Sequence, residues 1–141
     1  MFKQWSREAD YKLIVTWFDS YDWSPIPKES LPNTSFITYN KDGIPIIFTS
    51  FYGADCDFSL LGYTISNPAI DVKSDEITEA LEKTIVKAKE LGYNYMHYST
   101  GRGGIGIVKK LTSLGWTVTS SKAYILRISL NDDKIDFMEE E

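Results

Sequence analysis

One cysteine and one histidine in 141 residues leave little room for several kinds of chemistry. Cys56 alone cannot build an internal disulfide framework, and paired only with His97 it does not make the usual zinc site of sulfur and nitrogen ligands. Concentrated positive charge is missing too: 15 Lys and Arg against 20 Asp and Glu give a net charge of -5 and a pI near 4.9. No nucleic acid is therefore expected as a partner, because phosphate contacts need clustered basic residues. No apolar run approaches the length of a membrane span, and Met1-Phe2-Lys3-Gln4-Trp5 lacks the apolar core of a signal peptide. The expectation is a soluble, cytoplasmic protein that holds no metal and contacts no membrane.

What the chain does have is enough apolar material for one core, 43% hydrophobic with 25% charged residues. Aromatics reach 14%, an excess that suits contact surfaces and clefts as well as an interior. Phe2 to Trp5 reads as a short strand. Ser6 then caps a helix with Tyr11, Ile14, Trp17, Phe18 and Tyr21 along one stripe and Glu8 in its first turn. The stretch "DWSPIPKESLP" is extended and stiff, since Pro25, Pro27 and Pro32 exclude a helix.

Three strand-like runs follow: Ser35 to Asn40, Ile44 to Tyr52 and Phe58 to Ser66, separated by turns at Lys41-Asp42-Gly43 and at 53–57. Asp55 and Asp57 beside Cys56 are accounted for by that second turn. Ser74 is the expected cap of the next helix, whose stripe is Ile77, Ala80, Leu81, Thr84, Ile85, Ala88 and Leu91, ending at Gly92. Tyr93 to Thr100 reads as a strand, Ile107 to Leu114 as a helix stopped by Gly115, and Trp116–Ser120 with Ala123–Leu130 as a closing hairpin. The order is β-α-β-β-β-α-β-α-β-β, a single mixed α/β sheet over 1–130 with an acidic tail at 131–141. The 26 residues between the strands ending at Ser66 and starting at Tyr93 hold one helix, so those strands should run parallel and splay at their C-terminal ends.

Gly101-Arg102-Gly103-Gly104-Ile105-Gly106 fits G-x-G-x-x-G letter for letter. A dinucleotide fold needs an acidic residue about 20 positions further on and more strands beyond it. The first acidic residue after the loop is Asp132, in the tail, and no Gly-Lys-Ser/Thr follows the glycines. The glycines therefore read as a turn and a helix entry, with Arg102 beside that helix N-terminus as a milder anion-binding alternative. His97, with Tyr95 and Ser99 on the same strand face, is a candidate base for deprotonating an amine; the alternative is a packed, hydrogen-bonded histidine.

This layout, closing in "LTSLGWTVTSSKAYILRIS", resembles the GNAT superfamily of acyl-CoA-dependent N-acyltransferases, with Gly115-Trp116 matching the family's Gly-aromatic pair. The segments "WFDSYDWSPIPKESLP", "GIPIIFTSFY" and "YTISNP" look more narrowly like small GNAT-like proteins of tailed phages. The resemblance spans roughly residues 2 to 130 and implies a GNAT-like fold with transfer of an acetyl or other acyl group from acyl-CoA to an amine. It also implies a cofactor position: backbone pairing along Tyr63, Ile65 and Ser66, and phosphates near Lys73, Ser74, Asp75 and Arg102. His97 and Ser99 stand as the candidate catalytic residues. Trp17, Tyr21, Trp23 and Pro25 fall where such folds wall the acceptor pocket; an aromatic lid over the core is the other reading.

Several departures are visible. The family's Arg/Gln-x-x-Gly-x-Gly/Ala pyrophosphate loop is replaced by "NPAIDVKSDE", without a glycine. Leu111 occupies the usual tyrosine position, and Gly62 falls where the fourth strand often carries an acidic residue. The alternative expectation is thus a catalytically degenerate binding or assembly protein, engaging a protein partner or forming a homodimer through its aromatic surface.

Overall fold

The structure is a computed structural model that describes residues 1–100 and 105–119. It divides into two compact units, 1–98 and 99–141. The first contains one five-stranded sheet in sequence order: β1 (Phe2–Gln4), β2 (Ser35–Tyr39), β3 (Pro45–Gly53), β4 (Phe58–Ser66) and β5 (Tyr95–His97). The first three pairings are antiparallel, and β5 runs parallel to β4 as the crossover required. Helices α1 (Arg7–Ser20) and α2 (Ser74–Glu90) pack on opposite faces of it.

β3 explains how one sheet serves two helices. Every residue from Ile46 to Phe51 is buried, the pattern of a strand covered on both sides. Phe48 joins Ile14, Trp17 and Phe18 of α1, together with Trp5, Ile37 and Ile65. Ile47 and Phe51 face the other way, towards Ala80 and Ala88 of α2. Between them, Thr49 and Thr84 share a buried hydroxyl–hydroxyl bond of 2.7 Å.

Local signals set most boundaries. Ser6 caps α1, its Oγ accepting from Ala9 N–H at 3.4 Å while its own N–H donates to Asp10 at 2.7 Å. In the first hairpin, Asn40 Oδ1 accepts from Asp42 and Ile44 N–H, and Gly43 takes φ 78°. The proline-rich segment is fastened by Arg7, whose guanidinium donates to the carbonyls of Lys28 and Leu31 and to Asn33 Oδ1. Gly92, at φ 96°, ends α2.

Three expectations need correction. β5 covers only Tyr95–His97, not Tyr93 to Thr100, because β4 offers it a partner over three residues alone. The N-cap of α2 is Lys73 and Ser74 is its first helical residue: Glu76 Oε1 reaches back to Lys73 N–H at 3.0 Å, anchoring the helix start one residue earlier. An ammonium cannot accept in return, so only this half of a capping box forms. Leu91, placed on the buried stripe, is 61% exposed, since it follows the last helical residue.

In the second unit, α3 spans Ile105–Ser113, with Gly115 at φ 99° beyond it. Leu111 is buried. Residues 116–119 form no strand. These are most of the expected first strand of the closing hairpin, Trp116–Ser120, which is therefore not formed there; its second strand, Ala123–Leu130, the glycine loop at 101–104 and the acidic tail lie outside the described residues. No helix among the described residues is long and apolar enough to cross a membrane.

Candidate active site

β4 and β5 are paired only at Phe58↔Tyr95, Ser59↔Met96 and Leu60↔His97. From Leu61 to Ser66, β4 keeps β3 on one side and has no strand on the other among the described residues. An edge of this kind exposes a row of backbone donors and acceptors. Asn67 N–H bonds Ile46 O at 2.8 Å, which fixes the alternation. Ile65 must then turn its backbone groups to β3, and Thr64 and Ser66 turn theirs to the open edge. Of the expected trio, Ile65 is thus removed from the open edge, its side chain core at 2% exposed. Tyr63 turns its carbonyl to β3, where it accepts from Ser50 Oγ at 3.5 Å. Thr64 takes the place of Ile65.

A bulge sits where the open stretch begins. Between Thr49↔Thr64 and Phe51↔Leu61, β3 advances two residues and β4 three. The extra residue falls at Gly62–Tyr63, which breaks the ladder and redirects nearby backbone groups. Gly62 suits the tight approach there: a Cβ would lie 2.4 Å from Ser50 Oγ and 3.0 Å from Tyr52 Cε2, so the serine would have to shift. A glycine inside a strand pattern was the available sign of this bulge. Thr64 Oγ1, next to the bulge, is buried without a hydrogen-bond partner.

His97 stands opposite Leu60, the last paired position, where the two strands part. Its ring meets Phe58 edge-on at 4.3 Å. Met96 points to the α2 side, while Tyr95 and His97 are exposed on the other, so the expected alternation holds. Ser99 belongs to the second unit, beyond the end of β5, and Arg102 lies outside the described residues. Nearby on β3, burial raises the phenol pKa of Tyr52 above its ordinary value, with Tyr63 adding to the effect.

At its far end the open edge meets two further features. Tyr21 Oη reaches Ser66 O at 3.1 Å and Ser66 Oγ at 3.2 Å, and Trp23 stacks near Tyr21. Tyr63 packs against Phe18, 5.5 Å between centroids. The aromatic segment therefore splits: Trp17 is core, whereas Tyr21 and Trp23 are exposed at the end of β4. The chain then passes through Asn67–Val72 to the N-terminus of α2. There Lys73 is exposed, but Asp75 and Glu76 occupy the first turn, and Glu76 engages Lys73 N–H. This helix start offers an anion less than its dipole alone would. Among the described residues no three His, Cys, Asp or Glu side chains gather as a metal site would need.

Neither a family model nor a curated protein matches this sequence. Solved structures do match in three dimensions. A probable acetyltransferase shares 16% identity at TM-score 0.67, covering 93% of this chain and 99% of its own. An N-acetyltransferase from Staphylococcus aureus Mu50 shares 14% identity at TM-score 0.66, covering 85% and 84%. A GNAT-family acetyltransferase, also from Staphylococcus aureus Mu50, shares 12% at TM-score 0.62, covering 82% of each chain. At these identities the likeness establishes the fold alone: a mixed α/β sheet of the kind found in GNAT acetyltransferases.

Proposed function

We propose that this protein is an N-acyltransferase that moves an acyl group from acyl-CoA to an amine. The observation that carries the reading is the open edge of β4, which starts at a bulge beside the last β5 pair and leads to a helix N-terminus. An extended chain bearing two amides can pair with the outward backbone groups of Thr64 and with Ser66 N–H as an added strand would, Ser66 O already accepting from Tyr21 Oη. The pantetheine arm of CoA is such a chain. Its phosphates would then lie towards Lys73, Ser74 and Asp75, and its thioester towards the bulge and His97.

In the reaction the amine nitrogen attacks the thioester carbonyl, the C–N bond forms, the C–S bond breaks, and CoA leaves as the thiol. The amine must first lose a proton. His97, solvent-accessible where the strands part, is the residue placed to take it, directly or through water. Ser99 stays a candidate catalytic residue and Arg102 a candidate phosphate contact. The acyl-CoA is a co-substrate, an acetyl group being the simplest case. Of the sequence's two expectations for location, a cytoplasmic enzyme agrees with this cofactor, and a phage origin remains a proposal.

One observation favours a second reading, a GNAT-fold binding protein without CoA: no glycine lies between Ser66 and Ser74, and the α2 N-terminus is acidic. Thermal denaturation with rising acetyl-CoA separates the two. A ligand at about 100 times its dissociation constant stabilises by roughly 2.7 kcal/mol. With a weaker dissociation constant the rise is smaller but still grows with acetyl-CoA concentration; such a rise supports the transferase, and no rise at 10 mM supports the binding protein.

A further inference from the structure

The outward edge of β4 is not free along its whole length. Thr64 and Ser66 both turn their backbone groups away from β3, which gives the edge a donor and an acceptor at each residue. One acceptor is already taken. Tyr21 Oη donates to Ser66 O at 3.1 Å and lies 3.2 Å from Ser66 Oγ. A phenol has one proton to give, so the Ser66 hydroxyl is left to donate to Tyr21 Oη.

This contact joins a fixed backbone to a side chain with room to turn. Tyr21 N–H bonds Phe18 O at 3.1 Å, Asp22 N–H bonds Asp19 O at 3.1 Å, and Trp23 N–H bonds Phe18 O at 2.9 Å. Asp22 sits at φ 57°, a left-handed conformation that aspartate tolerates, and it turns the chain directly after Tyr21. The Tyr21 ring is 38% exposed, and Trp23, whose ring centroid lies 5.4 Å away, is 41% exposed. Little packing therefore opposes a change of Tyr21 rotamer. Its place on the edge gives such a change a consequence. Ser66 is the last residue of β4, and Asn67–Val72 lead from it to Lys73 at the start of α2. A chain laid from the bulge towards α2 has to pass the Tyr21 hydroxyl.

We propose that Tyr21 gates the open edge: its hydroxyl closes the carbonyl end of β4 in the free protein, and its side chain leaves Ser66 when an extended ligand passes towards α2. That the ligand is an acyl-CoA rests on the acyl-transfer reading above; the gate belongs to the edge itself. With the gate closed, an added chain meets Thr64 N–H, Thr64 O and Ser66 N–H. Opening it returns Ser66 O and completes the second pair. Apparent affinity falls by the fraction of molecules in which the gate stands open. One exposed hydrogen bond between neutral groups holds such a gate by a few-fold only, so the edge is weakened and not blocked.

The test compares the full chain with Tyr21→Phe, which keeps the ring and removes the hydroxyl, by NMR titration. The probes are acetyl-CoA to about 10 mM and N-acetylglycine methylamide, a bare two-amide chain, to about 100 mM. We expect at least one probe to bind Tyr21→Phe about threefold or more tighter than wild type. In the wild type, the Trp23 indole N–H signal, assigned by Trp23→Phe, should shift as that probe saturates, because the Tyr21 ring leaves its side. Three results overturn the gate: neither probe binds Tyr21→Phe more tightly, neither probe binds either protein, or the Trp23 signal stays unmoved at saturation. The transferase reading is judged separately. If the diamide tightens while acetyl-CoA binds neither protein, the gate stands and acyl transfer falls. If acetyl-CoA saturates both proteins and neither probe tightens, the gate falls and acyl transfer stands.

Discussion

At the scale of single residues, the buried hydroxyl pair is the sharpest probe of the core. Thr84 gives its proton to Ala80 O at 2.8 Å, so Thr49 is the donor in the 2.7 Å bond between the two threonines. Thr84→Val strands a buried donor and should cost about 1–3 kcal/mol. Thr49→Val leaves Thr84 bonded to Ala80 and should cost less, and the double valine variant should be more stable than Thr84→Val alone. Urea denaturation of the three variants checks the order; equal losses in both single variants would contradict it. Tyr52 gives a pH-dependent test. Burial holds its phenol above the unfolded value near 10. The stability this contributes is fully present below about pH 10 and is lost as pH rises through the folded value. The stability difference between wild type and Tyr52→Phe should therefore stay flat from about pH 6 to 9 and fall above 10.

At the scale of elements, the β4 bulge and the start of α2 define the candidate site. Gly62→Ala puts a Cβ 2.4 Å from Ser50 Oγ and should cost about 1–3 kcal/mol. Adding Ser50→Ala removes the nearest clash and should recover part of that loss, measurable by the same denaturation. At α2, Lys73→Glu should weaken acetyl-CoA binding and Asp75→Asn should tighten it, each by a few-fold, as about 0.3–1 kcal/mol per charge at a helix end implies. Calorimetry reads both. Helix and strand existence was legible because it rests on local periodicity, as in the stripe Ala80, Leu81, Thr84, Ala88. The extent of β5 was not, because a strand ends where its partner stops, and that partner lies 37 residues away at Phe58. The cap of α2 slipped by one residue for a local reason: Ser74 is the better capping type, but Glu76 is spaced to close on Lys73.

At the scale of the whole molecule, the parallel β4–β5 pair was legible from the length of the crossover, and the GNAT-like fold follows from the element order that this pair completes. The candidate site was legible only in part. His97 and Ser66 were visible as residue types, but the exchange of Ile65 for Thr64 depends on which backbone groups β3 already uses, a property of register. The role of Tyr21 depends on a contact across 45 residues, which no local pattern encodes. The central claim is that acyl-CoA binds along the open edge of β4. The most direct test is a titration with acetyl-CoA followed by backbone amide NMR. The account predicts saturable shifts at Leu61–Ser66 and at Lys73–Asp75, an undisturbed β1, and a dissociation constant above about 100 µM, or roughly -5.5 kcal/mol. Sub-micromolar binding that survives Lys73→Glu, or saturable shifts that leave Leu61–Ser66 unmoved, would contradict it.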